Sequence, residues 1–507
     1  MFPNVEQYQA ALQQNLSSII VDKSYHSASI EMSALGIPRI RSGNFALVYK
    51  LKLSNHDKAL RVFYRTNFDI ANRYEEIIKV INLLNKQQGN QNYFVETSYQ
   101  VSGIRVDGNL YPIIIMDWSP GLSMGDFVSI NYKNATLISN LQEALKNAFY
   151  VFEKNNIAHG DIQPGNVLVS KDGKNITFVD YDGMFCPSIK RFGASEIGHK
   201  NFQHPDRTER YFNEKLDYFA FGFLDSVLEI IKNQPNAWEA SSSDEEGFIF
   251  RAHDFVDPKK SKVFSLLIKD EKIRPYVERI KSILENSFLD IPNPSLFYSK
   301  TNKVISGKPT IISRQERQSV DKPYEGSRYI GNYEVIDANN FSKVYAKVGI
   351  RVELVGKIFQ VISGKSQFGN NKKFKKYIYV DFIPPNKGNL VRIKVFEETI
   401  DRYAASKDQL PNLRWENKWC SINEVIQPVN LKKSVFFQKG INEIGVIIVN
   451  MSRITLISEN QALFRLNKYT KSKPVNSDKK TKISSNKKSQ FDKDSNINII
   501  ESMKRKL

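Results

Sequence analysis

Asp161 sits inside HGDIQPGN, Asn166 closes that stretch five residues later, and Asp180 opens DYDG. Two carboxylates and an amide at these spacings suit phosphoryl transfer. Moving a terminal phosphoryl group needs an in-line acceptor, a divalent cation on the phosphate oxygens and a carboxylate beside the acceptor hydroxyl. Magnesium takes hard oxygen ligands and keeps several waters, so one carboxylate and one amide oxygen suffice from the protein. Local elements would position the three groups. VLV after Asn166 and ITFVD ending on Asp180 read as short strands, with a turn at KDGKN between them. Such a hairpin brings Asn166 and Asp180 together, with Asp161 across from them.

The surrounding chain divides by pattern. Residues 1–38 form a lead-in with modest helical character. Strand patterns begin near residue 39 with RSGNFALVYKLKL and HDKALRVFYR. DIANRYEEIIKVINLL follows as a helix with Ile70, Tyr74, Ile77, Ile78 and Ile81 on one face. YFVETSYQVSGIRV and LYPIIIMDW read as further strands, and SPG at 119–121 punctuates the chain before a mostly helical stretch to about 290. Residues 291–325 are polar, without sustained periodicity, and read as a linker. Residues 326–462 return to short alternating strands. From residue 463 the chain reads as a basic tail; past Asn467 it holds twelve Lys or Arg against four Asp or Glu, a composition expected to stay disordered.

Composition narrows the setting. The 507 residues carry a formal charge of +19, which favours polyanionic partners. Two cysteines, Cys186 and Cys420, leave no disulfide framework or cysteine-rich metal site. The opening MFPNVEQYQAALQQ lacks the basic segment and apolar run of a secretory signal, and the longest apolar runs are strand-sized. The expectation is a cytoplasmic protein with no membrane partner.

Several segments in order resemble the protein-kinase core. HGDIQPGN is similar to the H-R-D-x-x-x-x-N catalytic loop, and DYD stands where D-F-G would stand. SGNFALVY resembles the glycine-rich turn over the phosphates, KALRVF the strand with the phosphate-pairing cation, IIIMDWSPG the hinge, and DYFAFG the helix that braces the catalytic loop. More narrowly, ALGIPRIRSGNFALVY, ALRVFYR, FVDYDGM and IGHKNFQHPDR resemble a bacterial family of eukaryotic-like Ser/Thr kinases. The resemblance covers 39–290, with an N-lobe at 39–118 and a C-lobe at 119–290. It implies ATP and Mg2+ as cofactors and a protein substrate. Asp161 would be the catalytic base, and Asn166 and Asp180 would hold the metal. Gly43, Val48, Arg61, Glu75, Met116, Asp117 and Ser119 would bind the nucleotide.

This sequence also departs from that pattern. Arg61 stands where a lysine is usual, and a forked guanidinium is no neutral replacement at a phosphate clamp. Glu75 and Glu76 both lie near the place of its helix partner, with Glu75 preferred. Gly160 replaces the arginine of H-R-D, Gln163 replaces a lysine, and Gly43 alone remains of the glycine-rich loop. His159, His199 and His204 fit packing or docking better than zinc. Two rival readings follow: a nucleotide-binding pseudokinase scaffold, and a small-molecule phosphotransferase.

The strands of 326–462 resemble an OB-fold. VGIRVELVGKI, YIYVDF and WENKW carry the resemblance. Such barrels bind single strands with a basic groove and aromatic platforms. The candidate nucleic-acid residues are Lys372, Lys373, Phe374, Lys375, Lys376, Tyr377 and Tyr379, with Phe359, Phe368 and Phe382 as further rings; a protein partner is the alternative. The expected fold is α+β: a two-lobed protein-kinase-like fold, a small antiparallel OB-like β-barrel and a disordered basic tail.

Overall fold

A computed structural model describes residues 2–468 apart from 34–35, 43–45, 65–68, 88–91, 242, 299–328, 330, 332, 368–373, 385–388, 404–409 and 429–441. Met1–Lys468 form one compact unit. Gly43, Phe368, Lys372, Lys373, most of the 291–325 linker and the tail beyond Lys468 lie outside the described residues.

The lead-in is structural. Its first helix, α1 (Val5–Leu12), starts with a capping box between Asn4 and Gln7. It buries Val5, Tyr8, Ala11 and Leu12, and the Tyr8 hydroxyl donates to the Phe63 carbonyl at 2.9 Å. The sheet it covers comprises β1 (Ser29–Ile30), β2 (Arg41–Ser42), β3 (Ala46–Lys52), β4 (Lys58–Phe63), β5 (Thr97–Val106) and β6 (Asn109–Asp117). The strand order is β1-β3-β4-β6-β5, with β2 beside β3. Alternation sorts the two faces. Leu47, Tyr49, Leu51, Leu60, Val62, Ile113 and Ile115 pack with α1. Ala46, Ala59, Phe63, Ile114 and Met116 face the other way, toward Tyr74, Ile77 and Ile81 of α2 (Ile70–Gln87). Arg61 shares parity with Ala59 and Phe63, so β4 carries it to that second face.

Next come α3 (Met124–Asn131), α4 (Ala135–Lys154), α5 (Tyr218–Asn233) and α6 (Arg274–Glu285). Helix α4 is capped by Asn134 and buries Ile138, Leu141, Leu145, Ala148, Phe149 and Phe152 at helical spacing. Helix α5 is buried almost all round, as its apolar run requires. Beside them lie β7 (Leu122–Ser123), β8 (Val167–Val169) and β9 (Ile176–Phe178). Strands β8 and β9 pair antiparallel with Val167 opposite Phe178, forming the expected hairpin.

The antiparallel barrel expected over 326–462 needs correction. Its strands are β10 (Val335–Asp337), β11 (Arg351–Lys357), β12 (Gln360–Ser366), β13 (Lys375–Asp381), β14 (Asn389–Phe396), β15 (Trp419–Val425), β16 (Gln427–Pro428), β17 (Asn442–Ile448) and β18 (Ile454–Ile457). They make two sheets, β10-β11-β15-β18 and β12-β13-β14-β17-β16, and among the described residues neither closes on itself. Two pairings, β10 with β11 and β14 with β17, are parallel. A helix at Phe341–Tyr345 returns the chain between the first pair, and β15 and β16 intervene between the second. Alternation reports which residues share a face and carries no strand direction. The two sheets enclose a core of their own, including Val352, Leu354, Val380, Ile393, Ile422 and Val446. The tail also begins later than residue 463: α7 (Glu459–Arg465) is capped by Ser458, and Arg465 pairs with Glu353 at 2.6 Å.

Candidate active site

The loop from His159 to Asn166 is held from behind. Asp217, buried at the start of α5, accepts the His159 and Gly160 amides at 2.5 and 2.9 Å. Burial raises its carboxyl above the ordinary value against those bonds and the pull of His159. The His159 ring meets the Val179 carbonyl at 3.1 Å and packs on Phe178, so its role is to lock the loop to β9. Gly160 has φ +81°, and a side chain there would strike the Gly183 backbone. The position therefore takes glycine. Arg207 reaches the spot and donates to the Gly160 carbonyl at 2.9 Å and to Gln203 Oε1 at 2.7 Å.

Asp161 is buried and fixed. Its Oδ1 accepts the His199 amide at 2.7 Å, and its Oδ2 accepts Asn166 Nδ2 at 2.9 Å and Gln163 Nε2 at 2.6 Å. Asn166 is joined to β9 through its carbonyl, which accepts the Val179 amide at 3.0 Å. Asp180 follows at once, with φ +67°. A non-glycine residue in that region is strained and persists only where its surroundings hold it. Asn166 commits its amide nitrogen to Asp161, which leaves its oxygen as the end for a cation, and the Asp180 carboxylate is one-third exposed. One carboxylate and one amide oxygen fit Mg2+. Among the described residues no cluster of three or more His, Cys, Asp or Glu side chains forms a metal cage.

Arg61 is 2% exposed and is clamped by groups from two other elements. Its Nη2 pairs with Asp182, its Nη1 lies 3.1 Å from Asp180 Oδ1, and Nη1 donates to the Tyr74 hydroxyl at 2.7 Å. Tyr74 in turn donates to Asp182 Oδ1 at 2.5 Å. Burial opposes the Arg61 charge, but Asp182, Tyr74 and Asp180 outweigh it and hold the guanidinium pKa above its ordinary value. Burial pushes Tyr74 well above the ordinary phenol value, so it stays a neutral donor. Glu75 is exposed on α2 and is not part of this clamp, and Glu76 pairs with Lys79 at 2.6 Å. The helix partner of Arg61 is therefore Tyr74. Its signal in the sequence was a phenol on the core face of α2, where a buried hydroxyl needs a partner.

These groups line one cleft of about 690 Å³, within the range of small-molecule sites. Val48, Ala59, Met116, Asp117 and Ser119 line it together with Arg61, Asp161, Asn166 and Asp180. The Asp117 carboxylate accepts Lys58 at 2.5 Å. Of the candidate nucleic-acid residues, Lys375, Lys376, Tyr377 and Tyr379 lie on β13, outside the cleft lining, and Phe374 immediately precedes that strand. Phe374 is exposed and Lys376 pairs with Asp401 at 2.7 Å. Tyr377 and Tyr379 stack with centroids 4.4 Å apart and pack with Ile37, Phe396 and Ile447. Tyr379 also covers Arg392, which is paired with Asp381 at 2.6 Å. Phe382 is core and Phe359 is exposed.

No family model matches this sequence, and no curated protein does. Among solved structures the chain is similar to the Cydia pomonella granulovirus kinase PK-1, with a TM-score of 0.31 and 16% identity over 41% of this chain and 72% of that one.

Proposed function

We propose that this chain is an ATP- and Mg2+-dependent kinase of protein serine or threonine. In this reading 39–290 form a two-lobed kinase domain, and 326–462 form an appended β domain. The observation that carries it is the convergence of Asp161, Asn166, Asp180 and Arg61 in one cleft that Met116, Asp117 and Ser119 also line. Asp161 orients the acceptor hydroxyl and takes its proton. Its Oδ2 bond to Gln163 is the one a substrate hydroxyl would displace, because the His199 amide fixes Oδ1. Bound magnesium supplies charge neutralisation on the phosphates, and Asn166 and Asp180 are the residues that would hold it. Arg61 provides a fixed positive charge at the phosphate position, oriented by Tyr74 and Asp182.

The test is phosphate incorporation from γ-labelled ATP with magnesium, into the chain itself and into a generic protein acceptor. Label in the wild type that vanishes in both Asp161→Ala and Asp180→Ala supports the reading. No label in any sample, with Mg-ATP still raising the melting temperature, would replace it with a nucleotide-binding scaffold.

We also propose that single-stranded nucleic acid contacts the appended domain at Phe374, Lys375 and Lys376, where an exposed ring lies beside two cations. Tyr377 and Tyr379 support this end from within. Retention on single-stranded DNA should fall in Lys375→Ala/Lys376→Ala, with a shallower salt dependence. Unchanged retention would assign binding to the basic tail.

A further inference from the structure

The cleft beyond Asp161 is walled from two directions. His199 and Glu245 come from the first half of the chain, and Tyr333, Arg351 and Arg453 from the second. The two halves meet through apolar packing, of Ile37 with Tyr377, Tyr379, Phe396 and Ile447 and of Val348 on the α1 side of the first sheet, and through polar contacts. Asn450 Nδ2 donates to Asp126 Oδ1 at 3.0 Å. Arg453 Nη2 lies 3.5 Å from Glu245 Oε2, while its Nη1 is 2.6 Å from Glu424 Oε2. The Tyr333 ring stands edge-on to His199 at 6.1 Å.

The first-half wall is acidic. Glu245 is 13% exposed, and burial raises its carboxyl against the pull of Arg453. Glu246 is buried behind His199, whose Nε2 meets its Oε2 at 2.9 Å. Burial pushes the Glu246 carboxyl up, but His199, Arg351 and Arg453 outweigh it and hold it at about 2. His199 is more than nine-tenths buried in the cleft wall, and its Nδ1 has no hydrogen-bond partner. The wall thus presents the Glu245 carboxylate and an unused imidazole nitrogen, with the Glu246 carboxylate behind them, and the cations that line the cleft beside it belong to the second half.

We propose that this acidic end is the acceptor site for a basic, arginine-bearing segment of a protein substrate, and that Arg351 and Arg453 occupy it as a tethered competitor. The proposal rests on the phosphotransfer reading of Asp161. A polypeptide hydroxyl reaches Asp161 from this end only when the second half gives way. Glu245 and Glu246 then lose the guanidiniums that balance them, and a buried carboxylate without a cation is costly. An acceptor carrying its own arginines restores the balance, whereas an acidic one adds like charge. Because the resident arginines are tethered, they compete at a millimolar-scale effective concentration.

The test is the binding of two labelled serine peptides to the full chain, by fluorescence anisotropy, with magnesium and a non-hydrolysable ATP analogue. One peptide carries arginines beside the serine and the other glutamates. Two variants release the competitor by different routes. Arg351→Ala/Arg453→Ala removes the cations. Asn450→Asp sets a carboxylate against Asp126 and leaves both arginines in place. The basic peptide should bind about tenfold tighter to each variant than to wild type, the acidic peptide should not respond, and Arg453→Lys should resemble wild type. Melting curves confirm folding, and the Asn450→Asp arm decides should the double variant unfold. Equal affinity of the basic peptide for wild type and the folded variants overturns the proposal. A parallel set with γ-labelled ATP in place of the analogue reads phosphate transfer: tightened binding without transfer in any sample would uphold the site and defeat the kinase reading. Transfer without preference for the basic peptide would do the reverse.

Discussion

The Arg61 clamp gives the sharpest prediction, because its energetics follow from burial and partner count. Asp182→Asn keeps the shape of the side chain and removes its charge. Arg61 and Asp182 are 3% and 4% exposed, so water does not replace the lost partner. Removing one member of a buried ion pair typically costs about 3–5 kcal/mol. Asp180 remains 3.1 Å from Arg61 Nη1 and supplies part of the countercharge, which places the expected loss near the lower end, about 3 kcal/mol. Tyr74→Phe removes a hydroxyl that bonds Arg61 and Asp182 at 2.7 and 2.5 Å. Hydrogen bonds to charged groups contribute about 1.5–3 kcal/mol each, but Arg61 and Asp182 still touch directly, so about 2 kcal/mol is expected. The double variant should fall short of the sum by about 1 kcal/mol, because both substitutions act on one network. Urea denaturation followed by tryptophan fluorescence, with the slope checked for constancy, measures all three. A loss below about 1 kcal/mol for Asp182→Asn would mean that Asp182 does not compensate Arg61. Strict additivity would mean that Tyr74 does not bridge the pair.

Four further outcomes are expected. Gly160→Ala should destabilise by at least about 2 kcal/mol and abolish phosphate transfer, since it combines φ +81° with a clash on the Gly183 backbone; thermal melting and the labelled-ATP assay check it. Arg61→Lys should raise the KM for ATP about tenfold, because one ammonium cannot span Tyr74, Asp180 and Asp182 together; an unchanged KM would refute the clamp's role. Glu246 titrates near 2 in the folded chain against an ordinary 4.5, so its contribution of about 3 kcal/mol is complete above pH 4.5 and disappears as pH falls through 2. Between pH 5 and 3 the wild type should lose about 2 kcal/mol that Glu246→Gln does not lose, measured by urea unfolding at each pH. Tyr8→Phe should cost about 1 kcal/mol by the same method, because it removes the buried bond to the Phe63 carbonyl.

The hairpin that joins Asn166 to Asp180 was legible because spacing within a short loop fixes it. Arg61 was named only through the resemblance of KALRVF to the strand with the phosphate-pairing cation; its parity with Ala59 and Phe63, which sets it on the α2 side of the sheet, was not used. Glu75 was misassigned because helical phase alone left the choice of α2 residue open. The deciding fact was Asp182, more than a hundred residues away, which requires a donor at the place where Tyr74 stands. Gly160 looked like a lost arginine until its φ and its approach to Gly183 gave it a backbone reason. In the second half, alternation identified the strands but not their directions, so the two parallel pairings were hidden.

The contact between the two halves was not legible at all, and its chemistry explains why. Beside the packing of Ile37 and Val348, it uses single polar residues scattered through the chain: Arg39 with Glu398 at 3.0 Å, Asp126 with Asn450, Lys200 with the Gly331 carbonyl at 3.4 Å and Glu245 with Arg453. None of these pairs leaves a periodic pattern, because each is an ordinary surface residue until its partner arrives. The same polarity separates two kinds of structure around the cleft. The Arg61 clamp is enclosed by apolar core on its sheet face and by α2, so opening it would expose both. The acceptor end is closed by the largely buried Arg453–Glu245 pair and the Asn450–Asp126 amide bond, so opening it uncovers carboxylates that a partner must balance. Charge therefore controls access to Asp161 from that end, while packing fixes the geometry at Arg61 and Asp180. A partner able to open the site must accordingly match the acidic wall.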